Sequence, residues 1–160
     1  MSEQPKIQPS KYAVQKYNAT APVDFDMGIT YSGALLAIAG ADGELADAEL
    51  QWYLDEGTLM GVTQEYLDAV RNIDWKNVNI EESLSQVKFE FPLNVKRSLL
   101  YQAIKMSRAD GVYHEKEKAA VAKAAQILGV PQSTLESIES VAEMEDNTTK
   151  LLRSILSAEI

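Results

Sequence analysis

The stretch ADGELADAE, residues 41–49, returns as ADGVYHEKE, residues 109–117, in a chain of 160 residues. At that offset of 68, residues 41–70 fall on residues 109–138. Ala41, Asp42, Gly43, Glu49, Gly61, Val62, Gln64 and Leu67 then meet Ala109, Asp110, Gly111, Glu117, Gly129, Val130, Gln132 and Leu135. Eight identities in thirty positions exceed the about two expected from ordinary residue frequencies. Met60/Leu128, Asp68/Glu136 and Val70/Ile138 are conservative pairs at the same offset. A unit that cannot bury its apolar faces alone buries them against its neighbour. The predicted fold class is therefore all-α: a multihelical bundle of two pseudo-symmetric repeats packed around two long central helices.

Working outward, Met27, Tyr31, Ala34, Leu35 and Ile38 recur at helical spacing, and GALLAIAGA is apolar nearly all round. This predicts a core helix from Asp26 that ends at Gly43, where the missing side chain permits left-handed closure. A second helix spans about 47–60 with Leu50, Tyr53, Leu54 and Leu59 inward, and a third follows Gly61 and Thr63. Asn79 with Glu82 reads as a capping box, predicting a short helix over 80–87. VKFEF, residues 87–91, alternates like a strand but stands alone. After Pro92 a long helix runs to about residue 109, and HEKEKAAVAKAAQILGV, residues 114–130, is a helix halted by Gly129. Pro131 opens the next helix, through Leu135, Ile138 and Val141, and Asn147 or Thr148 caps a last one. The domain reading is a polar arm over 1–25, mobile or draped on the body, and a single all-helical domain over 26–160. Within it repeat one is about 26–72, repeat two about 92–143 and the C-terminal helix about 147–160.

Composition removes several function classes. Hydrophobic residues at 46% and charged residues at 24% supply a core and exclude a disordered chain. Without cysteine there is neither a disulfide nor a thiolate metal site, which fits a cytoplasmic protein. Residues 1–20 lack the apolar run of a signal peptide. Met27–Ala41, the longest uncharged stretch, falls short of the roughly 20 residues that span a bilayer, so no direct membrane insertion is expected. A net charge of -9 argues against nucleic acid, whose phosphates binders neutralise with Lys and Arg. Between Lys16 and Arg71 there are ten carboxylates and no basic residue, an acidic pole suited to cations or a basic protein partner. A homodimer is equally compatible.

The two Asp-Gly-containing stretches, each followed by a helix and an MGV or LGV turn, resemble the tellurite-resistance protein B (TerB-like) family over roughly residues 26–143. The resemblance implies an all-helical, cytoplasmic, non-enzymatic module in responses to tellurite and other stresses. It also implies a role for the motif acids in binding a divalent metal ion, whether Ca, Mg or Zn. Position by position those acids are Asp42, Glu44 and Glu49 in the first copy, and Asp110 and Glu117 in the second. Val112 stands where the first copy has Glu44.

On the residues alone, Asp-Gly-x5-Glu has the spacing of the second half of a calcium-binding helix-loop-helix loop. The earlier ligand positions would be Ile38 and Gly40, or Met106 and Arg108, and none offers a side-chain oxygen. Any cation would have to recruit carbonyls, water or other acids. The competing reading is structural: with Ala46 and His114 flanking the helix starts, Glu49 and Glu117 occupy the third helical position and cap exposed N–H groups. If a cation binds, the first copy is favoured, because Lys105, Arg108 and Lys116 crowd the second. His114, without a second His or any Cys, reads as an exposed cap residue. No nucleophile has an evident base partner and no phosphate loop occurs, so catalysis is not expected. The alternative function is an adaptor that docks a basic partner through the acidic pole, the turns serving only as caps.

Overall fold

Polar caps and glycines divide the chain into helices. Residues 5–159 are described by a computed structural model; residues 1–4 and Ile160 lie outside them. The helices are α1 (Lys11–Tyr17), α2 (Phe25–Ala39), α3 (Asp47–Met60), α4 (Gln64–Arg71), α5 (Ile80–Ser85), α6 (Val95–Ser107), α7 (Glu115–Leu128) and α8 (Gln132–Leu156), with a 3-10 turn at Trp75–Asn77. Side chains start five of them. Ser10, Asp24, Thr63, Asn79 and Asn94 each accept a hydrogen bond from the backbone N–H three residues on.

The core is the seam between α2 and α6. Ala34, Leu35, Leu36 and Ile38 face Leu99, Leu100, Ala103 and Ile104 in one apolar cluster, all at most 1% exposed. Burying each Leu or Ile contributes roughly 1.5–3 kcal/mol. Each of these long helices also receives the helix that follows the other: α3 packs on α6 and α7 packs on α2. Helices α4 and α5 cover α2, while α8 lies along α6. The fold is all-α; among the described residues the extended pairing is limited to one isolated bridge between Ile7 and Val23, and VKFEF forms no strand.

Two boundaries differ from the sequence reading. Helix α2 stops at Ala39 rather than Gly43, because the Trp75 ring covers Gly40 and the Gly43 N–H turns back to the Gly40 carbonyl at 2.9 Å. The expected break near Asn147 is absent, and α8 is one helix of 25 residues. No Gly or Pro interrupts it, and the carboxylates just before Asn147 anchor it to α6. There Tyr101 donates to Glu145 at 2.6 Å, and Asp146 binds Lys105 at 2.5 Å and Arg108 at 2.6 Å. Burial alone would raise the Asp146 carboxyl, but these two cations outweigh it and hold the group below its usual range.

The N-terminal segment is draped on the body and contains α1. Ala13, Tyr17 and Ala19 form a second apolar cluster with Met60, Phe91, Leu93 and Tyr101. At its edge Glu56 of α3, 4% exposed, accepts from Lys16 at 2.8 Å and from the hydroxyls of Tyr12 and Tyr17 at 2.6 Å each.

Candidate functional site

The repeated acids occupy two corners, one between α2 and α3, the other between α6 and α7, and the corners are built alike. In each the glycine turns back on the end of the preceding helix: Gly43 N–H to Gly40 O, Gly111 N–H to Arg108 O, both at 2.9 Å. Both glycines have left-handed φ, +99° and +93°, and a Cβ on either would meet nothing within 4 Å. The Asp accepts from the N–H two residues on, Glu44 to Asp42 at 3.2 Å and Val112 to Asp110 at 3.0 Å. The Glu then reaches back to the residue before its helix, accepting from Ala46 N–H at 3.3 Å and His114 N–H at 3.2 Å. Neither Ala46 nor His114 makes a side-chain cap bond, so in each corner only the reciprocal half of a capping box is made.

The electrostatics of the corners differ. Glu49 uses Oε1 for the cap, but its Oε2 is enclosed and has no hydrogen-bond partner. Burial, foremost, pushes its pKa up to about 7, with the carboxylates of Glu117, Asp42 and Asp110 adding to the rise against the Ala46 N–H. Acids from both corners thus contribute to the field at Glu49. Asp110 behaves in the opposite way. It is exposed, and the Val112 N–H, then His114, hold its carboxyl below the usual range. The His114 ring lies 3.4 Å from Asp110 and 4.0 Å from Glu117, an exposed flanking position.

Of the five acids singled out in the sequence, Glu117, Asp42 and Asp110 each add to the rise at Glu49. Glu44 does not join them: its side chain is exposed, and it contributes a backbone N–H to the Asp42 turn. Lys105 and Arg108, expected to crowd the second copy, are tied to Asp146. One group at the corner escaped the sequence reading. Tyr113 has an enclosed hydroxyl with no hydrogen-bond partner, and burial, followed by Glu139 and Glu117, raises it. The offset that pairs the acids pairs Tyr113 with Leu45, so no shared residue type marked it.

As the side chains stand, no group of three or more His, Cys, Asp or Glu among the described residues is placed to hold a metal ion. The fit to a cation rests on the orphaned Glu49 oxygen and the carboxylates around it. A divalent ion there would need them to turn inward, with water completing the shell.

A profile described as tellurite resistance protein TerB matches residues 54–140, just over half of the chain. The chain belongs to the TerB family. The matched segment holds the second corner with Asp110 and Glu117, while Asp42, Glu44 and Glu49 precede it. A crystal structure of a tellurite resistance protein from Nostoc punctiforme is similar in fold, with a TM-score of 0.82. The likeness covers 93% of this chain and 91% of that one at 24% identity. Comparison with curated proteins finds no match. Among the described residues no helix is long and apolar enough to cross a membrane.

Proposed function

We propose that this TerB-family chain is a cytoplasmic, non-catalytic stress-response module whose paired acidic corners take up a divalent cation. The observation that carries the reading is Glu49: an enclosed carboxylate oxygen without a partner, in the field of three further acids. A group in that state gains more from a cation than an exposed carboxylate does, because its charge is poorly solvated and repelled by its neighbours. Cation and proton compete for Glu49, so affinity rises as the pH passes upward through about 7. Oxygen ligands favour calcium or magnesium; zinc would have to draw in His114 from the rim.

Calorimetric titration with calcium, magnesium and zinc separately tests this. The expectation is saturable heat with at least one ion, reduced at least tenfold in affinity by Glu49→Gln with Glu117→Gln. Absence of heat, together with a melting temperature unchanged by millimolar metal, rejects it.

The second reading is the adaptor: the run of carboxylates between Lys16 and Arg71 offers a negative surface to a basic protein. That surface predicts affinity for a partner that weakens with salt and ignores metal.

A further inference from the structure

The N-terminal segment encloses a small apolar cavity against α2, α3 and α4, away from the acidic corners. From the segment come Pro9, Ala13 and Ala19; from the three helices come Tyr31, Tyr53 and Tyr66. The volume is about 90 Å³, three times the roughly 30 Å³ that one water takes up in the liquid. Protein interiors pack closely and hold few spaces larger than a single water, so this one is a departure.

Its walls are fixed. The Tyr31 hydroxyl donates to Gln102 at 2.7 Å, and the hydroxyls of Tyr53 and Tyr66 meet that of Ser32 at 2.7 and 3.1 Å. Tyr17 donates to Glu56 at 2.6 Å and accepts from Gln102 at 3.1 Å. Phe25 stands edge-on to Tyr66 at 5.2 Å between ring centres, and Phe89 leans on Tyr31 at 5.8 Å. These contacts keep the rings from rotating into the space. They also engage the polar tips around it, because each of these hydroxyls already has a partner within the chain. A water there would find too few partners, whereas a hydrocarbon gives up none.

We propose that this cavity is a binding site for a small hydrocarbon group, either a single unsubstituted ring or the end of an aliphatic chain. The roof is fastened to α3 by Ser10, which bonds the Leu59 and Met60 carbonyls at 2.6 and 3.0 Å, and by the Glu56 cluster. The ligand enters as that segment lifts.

The test is methyl NMR of the full chain during titration with benzene and, separately, with n-pentane. Saturable shifts are expected with at least one probe, centred on the methyls of Ala13, Val23, Leu54 and Leu67, with a melting temperature that rises as the probe saturates. Tighter binding of benzene assigns the site to a ring, and tighter binding of pentane to a chain. Phenol should bind at least tenfold more weakly than benzene, since its hydroxyl would be buried without a partner. Ala13→Leu and Ala19→Val fill the space from the roof, and each should weaken the preferred probe at least tenfold. Shifts absent up to the solubility of both probes, or as large on the methyls of α7 and α8, overturn the proposal. So does phenol binding as tightly as benzene, or a folded filling variant that binds as well as the unaltered chain.

Discussion

Two carboxylates seven residues apart on α3 meet opposite fates. Glu56, nearly buried, has every reason to be costly, yet Lys16, Tyr12 and Tyr17 all donate to it. Glu49, one oxygen of which caps its own helix, has the other oxygen enclosed and unpartnered, in the field of acids from both corners. Residue type and helical face are the same; the partners are not. A buried acid that is fully bonded holds the fold together, and one left incompletely bonded among like charges is where a ligand or proton has most to gain.

The largest effect that sharpens this contrast is at Glu56. Glu56→Ala leaves Lys16 and two tyrosine hydroxyls without their acceptor and loosens α1 from α3. The expected loss is about 3 kcal/mol in denaturant unfolding. A loss near zero would put Glu56 in the same class as Glu49 and erase the distinction.

Next come the turns that set the corner. Gly43→Ala and Gly111→Ala each impose a side chain on left-handed backbone with open space around it, so the cost is conformational, about 1 kcal/mol each. Equal losses support corners built alike. A large loss at one and none at the other breaks the correspondence.

The repeat made the corners legible because their construction is local. Asp-Gly with a Glu at the third helical position specifies the turn, the glycine φ and the reciprocal cap without help from the rest of the chain. Helix α6 was equally readable from the stripe Val95, Leu99, Ala103 and Met106. What the sequence could not show was long-range. Asp146 spans to Lys105 and Arg108 across 41 and 38 positions. That contact helps carry α8 through Asn147 and Thr148, residues that otherwise read as a helix start. Tyr12, Lys16 and Tyr17 looked like part of a polar arm, and only their shared acceptor Glu56 reveals the docking. At the site itself, Glu117, Asp42 and Asp110 act on Glu49 across the two corners. That coupling, and the presence of Tyr113, depend on how α3 and α7 are set across α6 and α2, which no spacing encodes.

The most direct measurement is the titration of Glu49, followed through its carboxyl carbon by NMR. The account predicts a midpoint of about 7 against an ordinary value of 4.5, so the folded chain holds a proton that the unfolded chain has lost. Its contribution to stability is therefore full below about pH 4.5 and disappears as the pH rises through about 7, a slope that Glu49→Gln removes. Asp110→Asn with Glu117→Gln should lower the midpoint, as should saturating calcium or magnesium. A midpoint near 4.5, unmoved by changes in the other corner, would contradict the coupling of the two acidic corners on which the proposed function rests.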